Sequence, residues 1–510
     1  MSRKIILLLI PFLLFYGLHT QADEKEEQSW QDEMIYFIMI DRFSNGDTSN
    51  DYEVNPNDPS AYHGGDFKGI INQLDYIDEM GFTAIWLTPI VKNEEKGYHG
   101  YWTEDFYDVE EHFGTLEEFK TLVDEAHKRD IKVILDLVVN HTGYKHPWLV
   151  ETDKQDWFHE RKDISNWEDQ DDVENGQLAG LPDLAQENPE VEKYLLDMAK
   201  WWITETDIDG YRLDTVKHVP KPFWEKFSKE VNSVKEDFFL LGEVWHNDPR
   251  YVASYGETGI DAFVDYPLFE KLVDTFKEPD KRLDWLLQIW LRNQSFYENP
   301  YLLGTFLDNH DNVRFTREII QERQNPETRL KLALTYLYGA PGIPIVYYGT
   351  EIALDGGNDP DNRRMMSFRA DKVIIDYIAK LADIRKQYPS LQKGDFELLF
   401  EEKGMAVFKR TYKDDITILA INNSSSTMTA TIPSDKIGDG KELRALLNDE
   451  LIRTSKGSFN ISMDRETSNI FEVHEKTGLN WKFIGAMIGV WVVFGLFIIY
   501  IKRRSKAQKN

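Results

Sequence analysis

The sequence predicts an α/β protein: a (β/α)8 TIM barrel with an inserted subdomain after the third strand, a C-terminal all-β sandwich domain and one C-terminal transmembrane helix. Three observations carry the prediction. Eight short apolar runs alternate with amphipathic stretches, one interval between runs is much longer than the others, and near residue 395 the pattern changes to closely spaced short strands. Runs that are continuously apolar mark strands buried on both faces, as in a parallel sheet covered by helices.

The eight runs occupy 35–40, 83–87, 133–139, 210–214, 238–243, 260–264, 303–307 and 343–347. A helix over 67–80 carries Ile70, Ile71, Leu74 and Ile77 on one face, and a second spans 116–128. Eight such units suit a barrel with insertions; a doubly wound open sheet is the competing arrangement of the same units. The long interval, 142–190, is polar and rich in Trp, Asp and Asn. It lies on the carboxyl side of the barrel, where barrel enzymes build their sites. The barrel therefore comprises 23–141 and 191–394, and the β domain spans 395–475, with turns at Asn422-Asn423 and 438–440.

The two ends are read separately. Residues 1–22 have a basic start (Arg3, Lys4), an apolar stretch and a small-residue cleavage site, the pattern of a secretory signal. Residues 483–501 carry no charge, and at ~1.5 Å per residue they are just long enough for a ~30 Å hydrocarbon core. Lys502, Arg503, Arg504, Lys506 and Lys509 follow in the tail, 502–510, and keep it cytoplasmic by the positive-inside rule. The chain is thus expected to be exported and held in the cell membrane by a single pass, with the barrel on the extracellular face.

Composition excludes several chemistries. The 510 residues carry 59 Lys+Arg against 89 Asp+Glu, a net charge of −30 that would repel nucleic acid. The absence of cysteine removes disulfides, thiolate nucleophiles and zinc–thiolate or iron–sulfur sites. An exported chain without disulfides must gain rigidity elsewhere, and bound metal is one source.

Barrel sites form where strands end. The fourth strand is expected to end at Asp214, the fifth at Glu243 and the seventh at His310-Asp311. Neighbouring strands run ~4.8 Å apart, so Asp214 and Glu243 would face each other at about 5 Å. That is the spacing of a retaining glycosidase, in which one carboxylate attacks and the other protonates the leaving oxygen. Arg212, two residues before Asp214 on the same strand face, would keep Asp214 ionised. Glu243, facing two other carboxylates, would hold its proton.

These residues also carry a resemblance. Asp136-Leu137-Val138-Val139-Asn140-His141, Gly210-Tyr211-Arg212-Leu213-Asp214-Thr215-Val216-Lys217-His218, Gly242-Glu243-Val244-Trp245 and Phe306-Leu307-Asp308-Asn309-His310-Asp311 resemble, in order, four short regions of the α-amylase family of glycoside hydrolases. The likeness covers roughly 30–475 and implies Asp214 as nucleophile, Glu243 as acid/base and Asp311 as transition-state stabiliser. It implies Arg212, His141 and His310 beside the cleaved sugar. The segment 97–102, with His99, Tyr101 and Trp102, is similar to one whose Tyr stacks on that sugar. Asp359 and Arg363 match a loop lining the same subsite, and Lys217 with His218 resembles a pair on the leaving-group side. Calcium is implied twice: at Asn140, Asp183 and the His218 backbone oxygen, and at Asn45, Asp47, Asn50, Asp51, Gly64 and Asp66, as in some bacterial relatives.

The implied activity is retaining endo-hydrolysis of α-1,4-glucosidic bonds in starch-like α-glucans. A cyclodextrin or maltooligosaccharide glucanotransferase is the alternative. The chain has only three domains, and Val-Trp follows Glu243 where cyclising relatives have Trp-Phe, so amylase is favoured. A catalytically inactive, membrane-bound glucan-binding subunit is the rival from another class; here all three acids are in place.

Overall fold

The structure, a computed structural model, describes residues 29–476 and 481–507. The expected signal segment lies outside the described residues. The eight predicted runs all form strands: β1 (Ile35–Ile38), β2 (Ala84–Leu87), β3 (Lys132–Leu137), β4 (Gly210–Leu213), β5 (Phe239–Gly242), β6 (Ala262–Phe263), β7 (Gly304–Thr305) and β8 (Ile343–Tyr347). Adjacent strands pair in parallel in the order β6-β5-β4-β3-β2-β1-β8-β7. A parallel bridge from Val264 to Gly304 joins the two edges and closes the sheet into a barrel. Apart from Lys132, every residue of these strands is buried, as a sheet covered on both faces requires.

Helix boundaries follow local chemistry. Thr115 and Glu118 form a capping box, each side chain accepting from the other's backbone N–H, so the helix Leu116–His127 starts where the sequence predicts. Asn188 caps the helix Pro189–Thr206, with proline at its first position. The helix predicted over 67–80 is instead two short helices, Phe67–Asn72 and Leu74–Glu79, broken at Gln73. The apolar spacing fits one face in both pieces, so periodicity alone could not reveal the break.

After β8 the helix Val373–Gln387 leads into the β domain, with strands β9 (Asp395–Glu402), β10 (Met405–Tyr412), β11 (Asp415–Asn422), β12 (Met428–Pro433), β13 (Lys441–Ala445), β14 (Leu451–Arg453), β15 (Ser458–Met463) and β16 (Thr467–Glu475). Six form one sheet in the order β9-β10-β11-β16-β13-β14; β12 and β15 pair separately. Buried Arg410 joins the domain to the barrel through Gly339 O at 2.6 Å, and Asn423 Nδ2 donates to Thr275 O at 2.9 Å. Trp481–Ala507 forms a helix; its segment Gly485–Arg504, with mean hydropathy 2.0, is long and apolar enough to cross a membrane.

Candidate active site

The carboxyl ends of the strands open into a cleft of about 650 Å³. Its walls include Asp214, Glu243 and Asp311 together with His99, Tyr101, Trp102, His141, Lys217, His218, His310, Asp359 and Arg363. Arg212, 1% exposed, is buried and pairs with both Asp214 and Glu243.

Register sets the central pair. Leu213 of β4 is level with Gly242 of β5, so the next residues, Asp214 and Glu243, leave neighbouring strands side by side. Arg212 donates from Nη1 to Asp214 Oδ1 at 2.7 Å and pairs through Nη2 with Glu243 Oε1. One guanidinium therefore bridges the two carboxyls. This holds the two carboxyls side by side at the mouth of the barrel.

The bridge is shared further than the sequence indicated. The same Nη1 reaches both oxygens of Asp136, at 2.9 and 3.0 Å, and Asp136 also accepts from Tyr101 OH (2.7 Å) and Trp86 Nε1 (3.2 Å). Arg212 was expected to keep Asp214 ionised. Instead one cation is divided among three buried carboxyls, and burial pushes Asp214 well above the usual carboxylate range. Arg212 opposes that shift, while Glu243, Asp136 and Asp311 reinforce it. Burial likewise raises Asp136 to about 6 against the pull of Arg212.

Two further residues touch the pair. Thr215 Oγ1 donates to Asp214 Oδ2 at 3.1 Å, and its N–H donates to Glu243 Oε2 at 3.2 Å. Tyr266 OH donates to Glu243 Oε1 at 3.0 Å. Sequence reasoning assigned neither a role. Thr215 stands beside Asp214 and could have been flagged by adjacency; Tyr266, distant in sequence, carries no comparable signal.

Strand ends were placed too late. β4 and β5 stop one residue before their acids, and β7 stops at Thr305, leaving Asp311 on the loop beyond it. There Arg363 Nη2 (3.4 Å) and His310 Nε2 (3.3 Å) hold it, and Arg363 Nη1 also pairs with Asp359 at 3.0 Å. His310 stacks on Tyr101 with ring centres 5.1 Å apart. Gly100, at φ +93°, turns the chain that presents Tyr101; a Cβ there would lie 2.3 Å from Pro89 O. Burial lowers His99 and His310 well below the ordinary histidine range and His141 to about 4, so these rings are neutral near pH 7. Among the described residues, His310 Nδ1 is buried without a hydrogen-bond partner.

Aromatic rings to which sequence reasoning assigned no binding role line the rim: Tyr144, Trp167 and Trp245 are 41%, 55% and 47% exposed. Lys217 donates to Trp245 O at 2.9 Å and lies 5.3 Å from the Trp167 ring centre.

The junction of barrel and insert presents unsatisfied hard oxygens. A backbone bridge brings His141 beside Asp183. Asn140 Nδ2 contacts His141 Nδ1 at 3.2 Å, while Asn140 Oδ1 is buried without a partner. Asp183 Oδ2 takes His159 Nδ1 at 2.6 Å, and its Oδ1 is likewise orphaned. Such donors fit calcium. At the second expected position Asn45 Nδ2 donates to both Asp51 oxygens (2.9 and 3.1 Å), and a Cβ on Gly64 would lie 2.6–2.7 Å from those two side chains. Asn50 Oδ1 is buried without a partner. Asp66 and Asp47 are engaged otherwise. Asp66 accepts from the N–H groups of Gly46, Asp47 and Gly69, and Asp47 from Ser49.

Residues 37–371 match the sequence profile of the alpha-amylase catalytic domain, and 394–471 that of the alpha-amylase C-terminal domain. The chain belongs to the alpha-amylase family of glycoside hydrolases. Among solved structures, an Anoxybacillus alpha-amylase is 66% identical with a TM-score of 0.88, the match covering 89% of this chain and all of that one. An alpha-amylase from Geobacillus thermoleovorans, complexed with acarbose, is 60% identical with a TM-score of 0.86, covering 88% of this chain and all of that one. A Paenibacillus polymyxa beta/alpha-amylase is 40% identical over 459 residues; the match takes in 87% of this chain but only 38% of that longer protein. A Thermoanaerobacter pseudethanolicus cyclomaltodextrinase is 35% identical over 416 residues, 77% of this chain and 70% of that one. This alpha-amylase family member is therefore an enzyme of the glycoside hydrolase class.

Proposed function

We propose that the protein hydrolyses internal α-1,4-glucosidic bonds of starch-like α-glucans with retention of configuration. The observation that carries this reading is the Arg212 guanidinium shared by Asp214 and Glu243. Asp214 attacks the anomeric carbon from one side as Glu243 delivers a proton to the departing glycosidic oxygen, leaving a glucosyl ester on Asp214. Glu243, now a carboxylate, takes a proton from water, which attacks the same carbon and frees Asp214. Asp311, braced by Arg363 and His310, faces the ring as positive charge develops. The two relatives at 60% and 66% identity, matched along their whole length, are named alpha-amylases and support hydrolysis.

Calcium at Asn140, Asp183 and the His218 backbone oxygen would tie the insert to the barrel. A second ion at the loop of Asn45, Asp47, Asn50, Asp51, Gly64 and Asp66 would draw first on the unpartnered Asn50 Oδ1, since Asp51 already accepts from Asn45 and Asp47 and Asp66 already hold backbone N–H groups. The apolar helix and its basic end support anchoring in a membrane, with the barrel outside.

Glucanotransfer is a second reading with a specific observation behind it. A cyclomaltodextrin glucanotransferase with a three-domain distribution is 32% identical, with a TM-score of 0.79 over 88% of this chain. Domain count therefore does not separate the two activities. The test is a product profile from soluble starch and a defined maltooligosaccharide, with Asp214→Asn as control. Linear reducing products support hydrolysis, cyclic products support transfer, and no release from the native enzyme contradicts both.

A further inference from the structure

Thr215 has an unusual backbone and two unusual contacts. It adopts φ +48° and ψ +41°, the left-handed region that β-branched residues avoid. Such strain persists where the surroundings over-determine it, and it clusters at functional sites. The conformation turns the N–H of Thr215 toward Glu243 Oε2 at 3.2 Å and leaves its hydroxyl on Asp214 Oδ2 at 3.1 Å. The next residue returns the chain, Val216 N–H donating to Glu243 O at 2.9 Å. Thr215 lines the cleft together with Asp214 and Glu243, whereas Arg212 is buried and does not line it.

The two oxygens of Asp214 are thus distinguished: Oδ1 belongs to the guanidinium and Oδ2 to the threonine hydroxyl. A carboxyl with a free Oδ2 could rotate, and in a cluster of three acids it could trap the shared proton. We infer that Thr215 is a positioning residue that fixes Asp214 and Glu243 relative to each other, its hydroxyl aligning Oδ2 for attack and favouring the ionised form of Asp214. This rests on the retaining reading above and adds a residue to it. A side chain without a hydroxyl would fill the same space and leave Oδ2 without its donor.

The test uses the full-length protein in detergent and compares Thr215→Val, Thr215→Ser and Thr215→Gly with the native enzyme, Asp214→Asn and Glu243→Gln. Valine keeps the shape and the strain but removes the donor. It is expected to lower kcat about 10–100-fold with little change in KM, and to move the acidic limb of kcat/KM upward by about one pH unit, as loss of one hydrogen bond to a charged group predicts. Serine restores the donor and should return both readouts to near native values. Glycine relieves the left-handed backbone, so it should melt no lower than the native protein yet show the same kinetic loss as valine, which separates folding from positioning. Native kcat and an unmoved acidic limb in Thr215→Val or Thr215→Gly, with Asp214→Asn inactive, would overturn the role of Thr215 and leave the retaining reading intact. Substantial activity in both Asp214→Asn and Glu243→Gln would overturn that reading, and the inference with it.

Discussion

Arg212 donates from a single nitrogen, Nη1, to both oxygens of Asp136, at 2.9 and 3.0 Å, and from the same nitrogen to Asp214 at 2.7 Å. Asp136 is thus the anchor that aims the guanidinium at the two acids. It is itself held by Tyr101 and Trp86, so the anchor is tied to the wall of the cleft.

Arg212→Lys should keep the charge and lose the fork. A point charge cannot serve Asp136, Asp214 and Glu243 together, so kcat on a maltooligosaccharide should fall by about 100-fold or more, as for loss of a preorganised electrostatic group. Arg212→Ala should also cost about 3–5 kcal/mol of stability, because it strands buried carboxyls. Steady-state kinetics and thermal melts of the two variants separate these effects.

Acid sensitivity follows from His146. It is 2% exposed, its Nδ1 accepts from Trp148 N–H at 3.2 Å, and burial, aided by Lys154, lowers it to about 4. In the unfolded chain histidine titrates near 6.5, so the unfolded state takes up the proton first as pH falls. The stabilisation is complete above that value and is lost as pH drops toward 4, by about 2–3 kcal/mol across the window. His146→Asn, which keeps a capping acceptor, should flatten this part of a melting-temperature-against-pH curve; an unchanged slope would exclude His146 as its source.

Asp265 slopes the other way. Burial raises it to about 7, against hydrogen bonds from Leu268 N–H and Asn293 Nδ2, both at 3.0 Å. Its folded value lies above the unfolded one near 3.9, so its contribution is full below about pH 4 and is lost as pH rises toward 7. Asp265→Asn should remove that decline while Tyr266–Phe276, the helix it caps, stays folded by circular dichroism.

Chelation should lower the melting temperature if calcium completes the oxygens of Asn140 and Asp183. A ligand at 1,000 times its Kd contributes about 4 kcal/mol. Asp183→Ala should melt low and respond weakly to chelator, whereas Asn50→Ala should retain most of the response if the second loop binds more weakly. An identical melting curve for the native protein with and without chelator would count against both ions.

Much of this was legible in the sequence for a physical reason. Strands buried on both faces must be largely apolar, so β1 to β8 appear as eight short apolar runs, interrupted within the barrel by Asp136 and Arg212, and an acid directly after such a run stands out. What the sequence hid depends on non-local packing. The break at Gln73 leaves the apolar spacing of 67–80 undisturbed, and Asp311 lies on a loop whose course only Arg363 and His310 define. The charge state of Asp214 depends on Asp136, nearly eighty residues away and joined to it through Arg212. Trp167 is one aromatic among many in a polar insert until folding brings it over Lys217.

The central claim is double displacement at Asp214, and the anomeric configuration of the first product reports on it directly. Proton NMR recorded during the earliest turnover of a maltooligosaccharide, before mutarotation, should show the α-anomer at the new reducing end. Initial release of the β-anomer would mean that water attacks in a single displacement, and the paired roles assigned to Asp214 and Glu243 would be wrong.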